Sequence, residues 1–277
     1  MLEGHAHPLF RAFPITRTVA VSAGNLPSPY HVYDGHGLLI CGHARADTVA
    51  AAFAGQDVFP VLTRSGRAVM GLFVCSFTDA SLGPHLELQA VALCAPRSDT
   101  RVSDDPTAML AGLASRTDRA LFSLNLWNDT APVVAYKTEC LGLDAALASG
   151  KVALGKRLAF AFHDAQGLAL ATGEVSVKPL SDLSAIWGLM RQIGLHQTMR
   201  LARQPFARSH LVNRKTPVLP RNGRVQTITA ADQRVVTRFD GKRDRLVLSG
   251  PLAAYGFQAL CSEHISPLRL VCLHPDG

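Results

Sequence analysis

Short strand-like segments dominate this chain, and only a few segments show the spacing of an amphipathic helix. Turn signals at residues 65–66 and 164–167 each separate two apolar segments and predict β-hairpins. The clearest helix is predicted over residues 181–204, where apolar residues recur at helical spacing. Because strands outnumber helices and do not alternate regularly with them, the sequence predicts a mainly antiparallel fold, either α+β or a β-barrel, with a few flanking helices.

Length and composition indicate one globular domain over residues 1–277. With 48% hydrophobic and 18% charged residues, the chain is too apolar for extended disorder. Its longest apolar run, VMGLFVCSF, is far shorter than the roughly 20 residues of a membrane helix. The amino-terminal segment lacks the basic start and apolar centre of a signal peptide. We therefore expect a cytoplasmic protein without a membrane partner, with its six scattered cysteines as free thiols.

Positive charge is concentrated in one part of the chain. No acidic residue lies between Asp182 and Asp232, whereas that interval holds eight arginines and lysines of a chain with formal charge +7. Either an anionic partner or a solvated basic face explains this distribution. We expect no nucleic-acid partner, because no binding motif accompanies the charge and only Phe206 lies between Arg191 and Arg224 to stack on bases.

Several common catalytic motifs are missing from the sequence. No GxGxxG follows a predicted strand, and neither a GxSxG elbow nor an HExxH pair is present. We therefore expect no cofactor and no metal site, and the leading chemical feature is a carboxylate within a predicted strand.

The segment SLGPHLELQAVAL, residues 81–93, places polar side chains at alternating positions. His85, Glu87 and Gln89 share one face of the predicted strand, and small or aliphatic residues occupy the other. One interpretation is a polar face in water. The other is a face lining an enclosed site, where burial raises the pKa of Glu87 toward that of a general acid or base.

The sequence resembles the acetoacetate decarboxylase family in three segments. They are PYHVYDGHGLLICGHARADTVAAAF, SLGPHLELQ with its strand glutamate, and LNLWNDTAPVVAYKTECLGLDAAL. The resemblance covers roughly residues 27–150 and implies a β-rich barrel of double-cone type that assembles into homo-oligomers. It also implies that Glu87 lines the active site.

The chain departs from this family at its catalytic lysines. A gapless alignment puts Asp144 and Ala145 where the family has the Lys-Lys pair that forms a Schiff base. Gly35 stands in place of an arginine, and Leu72 stands where a second strand carboxylate is expected. Acetoacetate decarboxylation itself is therefore not expected.

Lys137 lies in an otherwise apolar stretch and is a candidate for a relocated catalytic amine. The alternative is a surface lysine, or one paired with nearby Glu139 or Asp129. We expect no Schiff base on Lys137, because a second lysine that would lower its pKa is missing.

These residues support two functional hypotheses. The first is an enzyme of lyase or isomerase type that acts on an anionic keto or oxo acid. Glu87 and Lys137 are the candidate catalytic residues, and the candidate substrate-binding residues are His85, Gln89, Tyr136 and Arg191. The second is a small-molecule binding protein that keeps the barrel without catalysis.

Overall fold

The computed structural model of the chain describes residues 3–115, 118–178, 181–203, 207–212 and 225–273. Strands are the main elements of this part of the chain. They are β1 (Arg17–Val21), β2 (Gly24–Ser28), β3 (Tyr30–Ala44), β4 (Phe59–Pro60), β5 (Leu62–Thr63), β6 (Ala68–Ala80), β7 (His85–Ala95), β8 (Arg101–Val102), β9 (Ala120–Asn128), β10 (Ala145–Leu154), β11 (Arg157–Asp164), β12 (Ala169–Ser176), β13 (Ala207–Val212), β14 (Val225–Arg238), β15 (Arg245–Leu248) and β16 (Gln258–Leu273).

The helices are few and mostly short. They are α1 (Pro8–Ala12), α2 (Ala46–Ala52), α3 (Ala108–Ser115), α4 (Ala131–Ala135), α5 (Leu183–Arg203) and α6 (Gly250–Ala253), with a 3₁₀ turn at Glu3–Ala6 and a π-helical turn at Tyr136–Cys140. The long helix α5 is interrupted at Gly194, whose φ of 80° and ψ of 159° are not helical. Within the described ranges, no helix has both the length and the apolarity to cross a membrane.

Most strands belong to one mixed sheet. Its strand order is β15-β12-β11-β10-β9-β13-β14-β16-β3-β6-β5-β8, and β7 pairs with β4, β6 and β9. The pairs β9–β10, β9–β13 and β5–β8 are parallel, and the other described pairs are antiparallel. The predicted α+β class with a mainly antiparallel sheet and few helices is therefore confirmed, while closure into a double-cone barrel stays a prediction.

The turn signals in the sequence form the predicted hairpins. Gly66 lies between β5 and β6 with φ of +82°, and Gly167 lies between β11 and β12 with φ of +81°. Glycine adopts this left-handed conformation without the steric cost that a Cβ atom brings. The helix predicted over residues 181–204 corresponds to α5, and all six cysteines are free thiols, as predicted.

Two apolar clusters cover the two faces of the central strands. Alternation along β6 sends Leu72 and Val74 into one cluster, and Cys75 and Phe77 into the other. The pairing of Cys75 with Glu87 places the Glu87 side chain on the same side of the sheet as the second cluster. The strand carboxylate therefore points into a core rather than into solvent.

Candidate active site

The polar face of β7 is buried. His85, Glu87 and Gln89 are only 3%, 7% and 5% exposed. The interpretation of this face as a solvated surface is therefore wrong, because the second apolar cluster and the segment after β9 cover it.

Lys137 reaches the same face. Helix α4 begins with Pro132 in its first turn and continues into the π-helical turn, where the Leu141 N–H donates to Tyr136 O at 3.1 Å. This wider turn carries Lys137, which is 5% exposed, and its Nζ donates a hydrogen bond to Oε2 of Glu87. π-Helical turns are rare in proteins, and those that occur are often found at functional sites.

The two acidic residues close to Lys137 in sequence are not its partners in the described structure. Glu139 accepts a hydrogen bond from the backbone N–H of Ser22 at 2.8 Å. Asp129 accepts one from the backbone N–H of Leu86 at 2.7 Å. The interpretation of Lys137 as a surface lysine is wrong, and its ion pair is with Glu87, fifty positions away.

Asn128 completes the contacts of Glu87 and was not identified from the sequence. It lies opposite Glu87 in the β7–β9 register and is fully buried. Its Nδ2 donates to Oε2 of Glu87 and to the Leu86 carbonyl, both at 3.2 Å. Since both of these partners only accept hydrogen bonds, they fix the orientation of the amide. Asn128 Oδ1 is left buried without a hydrogen-bond partner among the described residues.

The pKa of Glu87 is lowered rather than raised. Burial disfavours the carboxylate and by itself raises the pKa of Glu87. The charge and hydrogen bond of Lys137, with the hydrogen bond from Asn128, outweigh burial and hold that pKa below its ordinary value. The predicted upward shift is therefore wrong, because the sequence indicated burial without revealing the cation. Glu87 is a carboxylate at neutral pH.

His85 is held neutral and has both ring nitrogens engaged. Nδ1 lies 2.8 Å from the Gly83 carbonyl, and Nε2 lies 2.8 Å from the hydroxyl of Tyr30. A carbonyl only accepts, so Nδ1 carries the proton and Nε2 accepts from Tyr30. Burial lowers the pKa of His85. A direct role for His85 in substrate binding stays a prediction. It requires the hydrogen bond between the Tyr30 hydroxyl and His85 Nε2 to break, so that Nε2 is free for the substrate.

Gln89 and Tyr136, the other two candidate substrate-binding residues in this region, are both buried. Gln89 Nε2 donates to Ser123 Oγ at 2.9 Å, and the Tyr136 hydroxyl donates to Ser28 Oγ at 3.1 Å. The rings of Tyr136 and Tyr30 lie 6.0 Å apart. Gln89 shares the face of β7 with Glu87, and Tyr136 directly precedes Lys137 in the π-helical turn. The roles of both side chains in substrate binding stay predictions.

Comparisons with known proteins reveal similarity at the level of structure. No protein-family model and no curated protein matches the sequence. One solved structure of acetoacetate decarboxylase aligns over 90% of this chain and 88% of its own, at 14% identity and a TM-score of 0.55. The acetoacetate decarboxylase of Legionella pneumophila aligns over 99% and 94%, at 15% identity and a TM-score of 0.54. The chain has an acetoacetate decarboxylase-like fold.

A third structure gives a weaker match. MppR, an enduracididine biosynthesis enzyme in complex with pyruvate, aligns over 88% of both chains at 13% identity and a TM-score of 0.48.

Within this acetoacetate decarboxylase-like fold, three positions that depart from the family motif are each accounted for by their surroundings. A Cβ atom at Gly35 would come within 2.6 Å of the Ser76 carbonyl oxygen, which leaves no room for a side chain. Leu72 is buried in the cluster on the opposite face of the sheet, and Asp144 is exposed. Among the described residues, Lys137 is the lysine that contacts the strand glutamate.

Arg191 lies apart from the other candidate residues. It is an exposed residue of α5 and lines a cavity that none of them lines. The structure does not bring Arg191 to the Lys137–Glu87 pair, and its role for the same substrate stays a prediction.

Proposed function

We propose that this protein is a small-molecule enzyme of lyase or isomerase type that acts on a keto or oxo acid. The observation that carries the proposal is the buried contact between Lys137 and Glu87. Two structures of the same fold are named acetoacetate decarboxylases, which supports a keto acid as the class of substrate.

A buried ion pair of this kind is poorly explained by stability alone. Removing two charges from water costs several kcal/mol per ion, and well-packed apolar residues often stabilise a core equally well. Buried titratable groups with a specific charged partner are instead frequent at functional sites. The pair and the buried Asn128 acceptor form a polar centre on the face of the sheet that carries the second apolar cluster.

The pair has the groups that enolisation requires. The Glu87 carboxylate takes the proton from the carbon beside the substrate carbonyl, and the C–H electron pair forms the enolate double bond. The Lys137 ammonium donates a hydrogen bond to the enolate oxygen, where the negative charge develops. Asn128 Oδ1 accepts a hydrogen bond from a hydroxyl or water of the substrate complex.

Decarboxylation, dehydration, aldol-type cleavage and cyclisation are all compatible with this centre, since each passes through an enolate or iminium ion. We also propose that the substrate is anionic, that the sheet closes into a barrel and that the protein assembles into a homo-oligomer.

The test is exchange of substrate α-protons for deuterium, followed by NMR in D₂O with pyruvate, 2-oxobutyrate, acetoacetate and 2-oxoglutarate. We expect Glu87→Gln to lower the exchange rate by about 10²–10⁴-fold, the usual contribution of a general base. Glu263→Gln is the matched control, because Glu263 is also buried and pairs with Arg234 at 3.1 Å away from this centre. Unchanged exchange in Glu87→Gln refutes the proposed role of Glu87.

A non-catalytic binding protein is the second candidate function. It is favoured by the direct contact of Lys137 with Glu87, which leaves each group satisfied by the other. Saturable binding of a keto acid, with no exchange from any of the four compounds, would identify this alternative.

A further inference from the structure

A polar cavity lies between helices α3 and α5 and the segments that follow β5 and β8. Its volume is about 460 Å³, which is within the range of sites that hold small organic ligands. None of the residues that form the Lys137–Glu87 centre lines it. The two sites are therefore separate.

Three guanidinium groups line this cavity. Among the described residues of the lining, they belong to Arg64, Arg119 and Arg191, and Asp105 is the one carboxylate. Asp105 Oδ1 accepts hydrogen bonds from the backbone N–H of Thr107 at 2.9 Å and from its hydroxyl at 2.6 Å. Arg64 and Arg191 form no ion pair with any residue that the structure describes. The described side chains of the lining carry a formal net charge of about two positive units, and a concave surface concentrates such a charge.

Two helical glycines form part of the cavity wall. A Cβ atom at Gly112 of α3 would come within 2.9 Å of Nη1 of Arg119. A Cβ atom at Gly188 of α5 would come within 2.9 Å of Oδ1 of Asp105. Glycine within a helix costs about 1 kcal/mol relative to alanine, and at both positions the missing Cβ atom leaves space beside a charged side chain. They allow the charged groups to sit close to the two helices.

We propose that this cavity binds a small phosphate monoester. Arginine is suited to phosphate because its planar fork donates two parallel hydrogen bonds. A phosphate dianion balances the net charge of the lining, and the volume exceeds what inorganic phosphate alone fills. The apolar part of the wall, formed by Val102, Ala108 and Ile193, accommodates the organic group of the ester. This site does not depend on the function proposed for Lys137 and Glu87.

Binding of phenyl phosphate, inorganic phosphate and malonate to the full chain tests the proposal by isothermal titration calorimetry at constant ionic strength. We expect phenyl phosphate to bind more tightly than the other two probes. The double variant Arg64→Gln/Arg191→Gln removes two exposed side chains of the cavity and weakens binding at least tenfold. Arg11→Gln/Arg17→Gln, with the same change in charge at exposed positions outside the lining, keeps the affinity within twofold.

Three results would overturn the proposal. The first is the absence of saturable binding of phenyl phosphate. The second is equal weakening in both double variants, which indicates a general charge effect. The third is binding of malonate as tight as that of phenyl phosphate, which indicates a site for carboxylates. Thermal unfolding of each variant checks that the fold is retained.

Discussion

Removal of Lys137 alone should destabilise the protein strongly. Lys137→Met leaves Glu87, which is 7% exposed, as a buried carboxylate supported by the 3.2 Å hydrogen bond from Asn128. Breaking a buried ion pair in this way costs about 3–5 kcal/mol. For a chain of this size we expect the melting temperature to fall by roughly 6–20 °C. The double variant Lys137→Met/Glu87→Gln removes the stranded charge and should recover most of this loss.

The pH dependence separates this explanation from simple loss of packing. In the native protein the pKa of Glu87 is below its ordinary value of 4.5, so its stabilising contribution is present above that value and is lost as the pH falls through the lowered pKa. In Lys137→Met, burial without the cation raises the pKa of Glu87. The single variant should therefore lose stability as the pH rises from 4.5 toward the raised pKa.

Urea or thermal unfolding between pH 4 and pH 8 measures the difference between the single and double variants. This difference should be largest at neutral pH and should shrink on acidification, as Glu87 takes up a proton. Equal stability of the two variants at every pH would refute the reasoning, because the cost would then come from lost packing of the lysine side chain.

Three further predictions concern the same centre. Asn128→Asp places a second carboxylate beside Glu87, which should raise the pKa of Glu87 and move the acidic limb of the exchange rate to higher pH; an unshifted pH profile would contradict this. Tyr30→Phe removes the donor to His85 Nε2 and should cost about 1–3 kcal/mol of unfolding free energy, measured by urea denaturation; no loss would mean that water replaces the hydroxyl. Incubation with acetoacetate and borohydride should leave Lys137 unmodified in intact-mass spectra, and a reduced adduct mapped to this residue would show that it does form a Schiff base.

The sequence predicts the fold well where local signals dominate. Gly66 and Gly167 mark the two hairpins because a tight turn needs a residue that adopts positive φ, and such a requirement is visible in a short segment. Helix α5 is visible because its apolar residues recur at helical spacing. The order of strands in the mixed sheet is not local, since β9 pairs with β7, β10 and β13 from distant parts of the chain.

The sequence predicted the β7 side of the candidate site but not the contacts that other elements bring to it. Alternation along β7 placed His85, Glu87 and Gln89 on one face, but alternation alone does not tell which face of a strand is buried. The resemblance to acetoacetate decarboxylases supplied that choice. The contact with Lys137 depends on a π-helical turn fifty positions away, and no local pattern in AYKTEC indicates it.

Asn128 illustrates a different limit. It lies in LNLWNDTAPVVAYKTECLGLDAAL, one of the three segments that resemble the family, yet its contact with Glu87 follows from the register of β9 against β7. Register depends on the whole sheet, and a shift by one residue would send the amide to the opposite face. The sequence-based prediction of the direction of the Glu87 pKa shift was wrong for the same reason. The residues that lower this pKa, Lys137 and Asn128, belong to other elements.

The charge balance of the centre constrains its ligands. Lys137 and Glu87 cancel, so an anionic keto acid adds one uncompensated negative charge to a buried region. The three arginines that line the cavity beside α5 do not belong to this centre. Without a further cation at the centre, two solutions balance the charge: the acid group of the substrate stays in solvent while its carbonyl reaches Lys137, or Glu87 takes up a proton as the substrate enters. In the second case the carboxylate is no longer a base before the reaction begins. Enolisation by Glu87 therefore requires a substrate whose charged group lies outside the apolar cluster and whose carbonyl end alone is enclosed.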